Sequence, residues 1–143
     1  MAETNQLNID ALVNENNIII NEKYAKVYFS EQLKVLGIVW DGVFTTDQYT
    51  GLFDRLIEFG KKHKIIGFYS DIRKQGVVSV EARKYFEKVV SPEAQRQGIN
   101  KTGVVSDASP FKKYYLNTII KMTGRPAKIC SNPEDALNYV LGY

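Results

Sequence analysis

Apolar residues alternate with polar ones early in this chain and take a helical spacing after residue 45. "YAKVYFS" at residues 24–30 alternates, and the short apolar runs "NIIIN" and "LKVLGIVW" lie close on either side of it. Such spacing is typical of an antiparallel meander. After Thr45, which with Thr46 is a candidate N-cap, one helical face carries Tyr49, Leu52, Phe53, Leu56 and Phe59.

Three strand–helix units follow this first helix. The predicted strands are residues 17–21, 24–30, 33–40, 65–70, 101–106 and 126–130, and the predicted helices are residues 46–62, 79–90, 110–122 and 133–141. Ala82, Tyr85, Phe86, Val89 and Val90 form the apolar stripe of the second helix, which Ser91-Pro92 is expected to interrupt. Right-handed crossovers between parallel strands follow from such units. We therefore predict an α/β domain whose mixed sheet has its antiparallel edge near the N-terminus.

Length and composition place the chain among ordinary globular domains. Its 143 residues are 44% hydrophobic and 24% charged, which suits one domain over residues 17–143 after a flexible or marginally helical tail at 1–16. The tail lacks the basic start and apolar centre of a signal peptide. The run "VLGIVW" is far shorter than the roughly 20 residues of a membrane helix. With a single cysteine, the sequence predicts a cytoplasmic protein that does not enter a membrane.

Charge and motifs exclude several kinds of site. Residues 1–31 hold five acids and two bases, and residues 32–143 hold seventeen bases and eleven acids, but these bases are dispersed, so no nucleic-acid partner is expected. The single histidine, His63, lies in a lysine-rich helix end and is interpreted as a surface residue. Cys130 is interpreted as a buried structural thiol. No metal ligand set or phosphate-binding glycine motif is present, so we expect neither cofactor nor metal and no catalytic residue.

Two short motifs carry a resemblance to a known family. One is Trp40-Asp41-Gly42 at a strand end, and the other runs from Asp71-Ile72-Arg73 through Gly76 to Ser79. With the surrounding order of strands and helices, they make most of residues 17–143 resemble the SpoIIAA-like, or STAS-like, domains. These are anti-sigma-factor antagonists and their relatives, and the likeness is strongest to an uncharacterised bacterial branch.

The resemblance implies a protein-binding or ligand-binding module and not an enzyme. Characterised members of the family dock a partner kinase and carry a phosphorylatable serine at a helix start just after a strand. This sequence departs from that pattern, because Ser70 precedes Asp71 and a longer loop separates Asp71 from Ser79. Ser79 is therefore expected to act as an N-cap.

Polar residues follow each predicted parallel strand. In open α/β sheets, ligands bind beyond the carboxyl ends of the strands, so these residues are expected to converge on one rim. Trp40 and Tyr69 are interpreted as an apolar wall there. The residues predicted to bind a ligand or partner are Trp40, Asp41, Tyr69, Asp71, Arg73, Ser79, Ser106 and Asp107, and Ser131-Asn132 also lies on this rim. The structural alternative is that Asp71 pairs with Arg73 or caps the amides of its own loop.

The helix predicted from Pro110 has a second apolar ridge, formed by Leu116 and Ile120. Either a neighbouring helix of the same chain or a second copy of the chain covers this ridge. The second alternative is favoured, and it predicts a homodimer with these two residues at the interface. Two functions stay open: an interaction module that binds a protein partner, and a carrier or enzyme that uses the same rim for a small anionic or lipid-like ligand.

Overall fold

A computed structural model describes residues 7–107 and 126–143 of the chain. They form a six-stranded sheet in which every strand pairs with the next strand in sequence. The strands are β1 (Ile18–Asn21), β2 (Ala25–Ser30), β3 (Val35–Trp40), β4 (Gly67–Asp71), β5 (Lys101–Val105) and β6 (Ala127–Cys130). β1, β2 and β3 are antiparallel, and β3 to β6 are parallel. The predicted mixed α/β sheet with an N-terminal antiparallel edge is confirmed.

The described helices are α1 (Thr46–Lys62), α2 (Val80–Tyr85), a π-helical turn (Phe86–Val90), α3 (Ser91–Arg96) and α4 (Pro133–Leu141). A capping box begins α1: the Thr45 hydroxyl accepts from the Gln48 N–H at 3.0 Å, and the Gln48 side chain accepts from the Thr45 N–H at 2.8 Å. The predicted helix at 110–122, with Leu116 and Ile120, lies outside the described residues.

The predicted interruption at Ser91-Pro92 is wrong, because the chain stays helical through Arg96. Proline lacks an N–H and crowds the carbonyl one turn earlier, which normally breaks a helix. Here the wider π turn directly precedes it, and the Ser91 N–H donates to the Phe86 carbonyl. A π turn contains one residue more than an α-helical turn, and this shifts the residues that follow around the helix axis. Val89 of the predicted stripe is therefore 40% exposed, while Val90 is buried.

Two apolar cores lie on opposite faces of the sheet. On the first face, α1 and the α2–α3 segment cover an aromatic cluster that includes Trp40, Tyr49 and Phe53. On the second face, α4 packs against β4, β5 and β6, and Leu137 contributes to a core with Tyr69. Both faces of β4 are therefore buried, as the apolar run "IIGFYS" predicts.

The N-terminal segment belongs to the second core. Residues Ile9–Ala11 and Glu15–Asn17 form short 3₁₀ helices, and Leu12 between them is fully buried. The Ile9–Ala11 helix contacts α4. Residues 7–16 of the predicted tail thus take part in the packing of the sheet.

Candidate functional site

Because β3 to β6 are parallel, their carboxyl ends lie together at one end of the sheet, which is called the rim here. The register pairs Asp71 with Val39 on one side and with Val105 on the other, and it pairs Val105 with Cys130. The polar residues that follow these strands are therefore placed at neighbouring strand ends. This is the placement that parallel pairing predicts.

Asp71 and Arg73 form an ion pair that organises the loop after β4. The Asp71 side chain is 8% exposed, and the Arg73 side chain is 38% exposed. Arg73 Nη2 donates to Asp71 Oδ2 at 2.6 Å, and Arg73 Nε donates to Oδ1 at 3.0 Å. The Arg73 main-chain N–H also donates to Oδ1, at 3.1 Å. Both parts of the structural alternative for Asp71 are thus present, since it pairs with Arg73 and caps an amide of its own loop.

Electrostatics around Arg73 favour its charged form. The hydrogen bonds that Arg73 donates to Asp71 raise the pKa of Arg73 above its usual value, and the charges of Asp71 and Asp107 act in the same direction. Asp107 is exposed, whereas Ser106 is 2% exposed and its N–H donates to the Cys130 carbonyl at 3.0 Å. The rim therefore places the Arg73 cation against the buried Asp71 carboxylate, with the exposed Asp107 carboxylate also acting on it.

Main-chain hydrogen bonds at Gly42 and Gly76 join the loops that follow β3 and β4, and this contact is called the clasp here. The Gly42 N–H donates to the Lys74 carbonyl at 2.8 Å, and the Gly76 N–H donates to the Gly42 carbonyl at 2.9 Å. Gly42 has a φ of +96°, a conformation that favours glycine. A Cβ at Gly76 would lie 2.6 Å from the Gly42 oxygen, so the two backbones approach this closely because residue 76 has no side chain.

The residues that follow the clasped glycines are unusually exposed. Val43 and Val77 are each 89% exposed, and the Val43 Cα is 3.1 Å from the position that a Cβ of Gly76 would take. The clasp therefore brings an apolar pair, Val43 and Val77, onto the surface of the rim. The sequence signal for the clasp is its two glycines, but their contact is a tertiary feature.

Trp40 and Tyr69 do not form one apolar wall, and that interpretation is wrong. Trp40 belongs to the first core, where it stacks on Tyr49 with ring centroids 5.3 Å apart. Tyr69 belongs to the second core. Successive strand residues face opposite sides, and the register that pairs Tyr69 with Gly37 puts it on the face opposite Trp40. Each is 1% exposed, so neither presents a surface to a partner.

Ser79 caps α2, as the sequence predicts. Its hydroxyl accepts from the Ala82 N–H at 3.1 Å and lies 2.7 Å from the Thr46 hydroxyl. This pair of hydroxyls joins the first turns of α1 and α2. Asp41 is exposed, and its N–H donates to the Tyr24 carbonyl at 2.9 Å.

An apolar cleft lies at the other end of the sheet from the rim. It has a volume of about 440 Å³ including its open mouth, and it lies between α1, the π turn, α3 and the first residues of β3 and β4. Its lining includes Leu36, Phe68, Phe86, Val90 and Ala94. The sequence did not predict this cleft. The predicted site was based on polar residues at strand ends, whereas the cleft is lined by apolar residues that the sequence assigns to the hydrophobic core.

The two residues weighed for nucleophilic or acid–base chemistry have structural contacts. His63 ends α1, where it stacks on Phe59 with ring centroids 3.9 Å apart and places Nδ1 3.1 Å from the Phe59 carbonyl. It is half-buried, not a fully exposed surface residue. Cys130 is buried as predicted, and burial raises the pKa of its thiol.

Across residues 7–107 and 126–143, no three His, Cys, Asp or Glu side chains are grouped closely enough to hold a metal ion. Within the same ranges, no helix has the length and apolar character needed to cross a bilayer.

Comparison with known proteins shows the fold. No protein-family model matches the sequence, and no curated protein matches it by sequence. A solved structure of an uncharacterised DUF3478-family protein with a SpoIIAA-like fold, from Shewanella loihica PV-4, is similar with a TM-score of 0.57. The two are 17% identical, and the match covers 74% of this chain and 83% of the other. The chain therefore has a SpoIIAA-like fold, in agreement with the resemblance noted in its sequence.

Proposed function

We propose that the protein is a non-catalytic interaction module that binds a protein partner through its rim. The observation that carries the proposal is the clasp, which holds Val43 and Val77 almost fully exposed on two joined loops, the second of which contains the Asp71–Arg73 ion pair. Exposed apolar residues that lie together and are surrounded by polar residues mark interaction sites, whereas isolated ones do not. A rigid surface loses little conformational entropy when a partner binds.

The ion pair gives this surface a polar anchor. Within the described residues, the Arg73 guanidinium donates to Asp71 through Nε and Nη2. Its Nη1 is therefore left to bind a partner's carboxylate. Arginine is enriched among the residues that dominate binding energy, especially where its orientation is fixed in advance. The combination of Arg73 with the valine pair suits a partner surface that is apolar with an acidic residue beside it.

The test begins with cross-linking and mass spectrometry in the native cell to identify the partner. Its affinity is then measured for the wild type, Val43→Asp, Val77→Asp and Arg73→Gln. Val89→Asp is the matched control, because Val89 is also an exposed valine but lies in the π turn, away from the rim. We expect each rim variant to weaken binding at least about tenfold, or roughly 1.4 kcal/mol, and the control to leave it unchanged. Equal affinities in all four variants would show that the partner binds elsewhere.

A second candidate function is the carriage of a small lipid-like ligand, and the apolar cleft is the observation that favours it. The lining of the cleft is mainly apolar, as it is in most small-molecule sites, and the cleft is open to solvent on one side. Native mass spectrometry of the purified protein tests this function. An added mass that disappears in Ala94→Leu, which fills the cleft, supports it. An added mass that persists in this variant assigns the ligand to another site.

Association of the protein as a homodimer is a separate proposal. Its basis is the sequence pattern that places Leu116 and Ile120 on a second apolar ridge. Light scattering at micromolar concentration measures the oligomeric state. If the protein is dimeric, Leu116→Glu combined with Ile120→Glu is expected to give a folded monomer. A monomeric wild type, or a dimeric double variant, contradicts the proposal.

A further inference from the structure

Side chains of α4 bind the main chain of the N-terminal segment. Asn138 Oδ1 accepts from the Leu7 N–H at 2.9 Å, and Asn138 Nδ2 donates to the Leu7 carbonyl at 3.2 Å. Glu134 Oε2 accepts from the Ile9 N–H at 3.1 Å. Main-chain N–H and carbonyl groups are common to all residues except proline, so these contacts do not depend on the side chains of the segment.

One side chain of the segment, Leu12, fills a hole in the sheet. Leu12 is fully buried and lies over Gly37 of β3. A Cβ at position 37 would be 2.9 Å from Leu12 Cδ2 and 3.2 Å from Tyr69 Cδ2. Gly37 therefore leaves the space that the leucine occupies, and the fit selects an apolar side chain of limited size.

Asn138 is a polar residue on the buried face of α4, beside Ala136, Leu137 and Val140. It is 5% exposed. One of its hydrogen bonds, from Nδ2 to the Glu134 carbonyl at 2.8 Å, stays within α4. The two bonds to Leu7 require a peptide opposite, because a buried amide oxygen without a donor is costly. Pairing with both main-chain groups of one residue is also how a strand recognises an added peptide.

We propose that α4 and the centre of β3 form a peptide-binding groove, which the chain's own residues 7–12 occupy. The groove recognises a residue with free main-chain N–H and carbonyl groups, followed five positions later by a leucine-like anchor. It tolerates variation at Asn8, Asp10 and Ala11, which are exposed, whereas Ile9 packs against the second core. A partner peptide of this chemistry binds by displacing the segment, and this surface is distinct from the rim.

A tethered segment competes strongly with a free peptide. Its effective concentration is on the order of millimolar, so the wild-type groove is closed to micromolar peptide. Two variants loosen the segment in the full-length chain. Leu12→Ala removes the anchor, and Leu7→Pro removes the N–H that Asn138 binds while leaving Leu12 in place.

The test measures fluorescence anisotropy of a labelled synthetic peptide with the sequence of residues 5–16, "NQLNIDALVNEN". We expect both loosened variants to bind it at least tenfold more tightly than the wild type does. The same peptide with alanine in place of its second leucine should not bind. Adding Asn138→Leu to Leu12→Ala should abolish binding, and Ala11→Ser, an exposed change in the same segment, should behave as the wild type.

Hydrogen exchange of residues 7–12 and circular dichroism accompany the binding data. The proposal is overturned if the loosened variants keep the native spectrum and exchange faster at residues 7–12, yet bind the peptide no better than the wild type. Equal binding of the leucine and alanine peptides also overturns it, because the anchor would then not be recognised. Unfolding of both variants overturns it as well, since a displaceable segment must be dispensable for the fold.

Discussion

Replacing Asp71 with asparagine tests whether the ion pair braces the rim. The change keeps the shape of the side chain, and the amide oxygen can still accept from the Arg73 N–H. The amide NH₂ group, however, faces the Arg73 guanidinium in place of a carboxylate oxygen, which sets donor against donor. Hydrogen bonds to charged groups contribute more than neutral ones, and we expect the free energy of unfolding to fall by roughly 1–3 kcal/mol.

The exposure of the pair limits this magnitude from above. Because the Arg73 side chain is 38% exposed, its guanidinium can turn to water when Asp71 is neutralised, so the loss should not approach that of a fully buried pair. Arg73→Gln leaves the Asp71 carboxylate buried with one main-chain donor and should cost a similar amount. The double variant should lose less than the sum of the single ones, with a coupling energy of about 1–2 kcal/mol.

Urea denaturation of the four proteins gives these free energies by linear extrapolation. Glu22→Gln serves as the matched control. Glu22 pairs with Arg55 at 3.1 Å, but the two side chains are 40% and 54% exposed, so its loss should be below about 1 kcal/mol. If Asp71→Asn changes stability by less than about 0.5 kcal/mol, as ordinary surface substitutions do, the ion pair does not brace the rim and the reasoning is refuted.

Three further predictions follow from the packing. Gly76→Ala should destabilise the protein by about 1–3 kcal/mol in the same urea assay, since its Cβ would lie 2.6 Å from the Gly42 oxygen; an unchanged midpoint would mean that the clasp is easily opened. Burial raises the pKa of Tyr49 and Tyr69 above the usual 10.0, so the unfolded chain loses these protons first as pH rises. The contribution of these two tyrosines to stability should therefore be constant below about pH 10 and fall above it by roughly 1.4 kcal/mol per pH unit for each tyrosine, and a flat alkaline profile would contradict this. Cys130 is buried and burial also raises the pKa of its thiol, so a thiol reagent at pH 8 should react with it far more slowly than with a free thiol; equal rates would contradict this.

Residue patterns predicted the strands and helices well, because periodicity and caps are local. Strand β4 and α1 fall within two residues of their predicted bounds. The opposite orientations of Trp40 and Tyr69 were not predictable in the same way. Alternation determines which residues of one strand share a face of the sheet. Whether residues of two strands share a face depends on the register, here the pairing of Tyr69 with Gly37, and register depends on tertiary packing.

The candidate site was predictable only in part, for a related reason. The pairing of Asp71 with Arg73 acts over two residues and was anticipated from the sequence. The clasp joins residues 42 and 76, and the Leu12 contact joins the N-terminal segment to the middle of the sheet, so neither has a local signature. The helical continuation past Pro92 was missed because a π turn has no reliable sequence signal.

The sequential strand order has a consequence for how the protein is made. Each strand pairs with the strand synthesised just before it, so the sheet can grow strand by strand as the chain leaves the ribosome. The contact of Leu7 with Asn138 spans 131 residues and forms only after α4 has been synthesised. During translation, then, Leu12 can meet Gly37 early, but the main chain at Leu7 has to wait for Asn138, although it is made 131 residues before it.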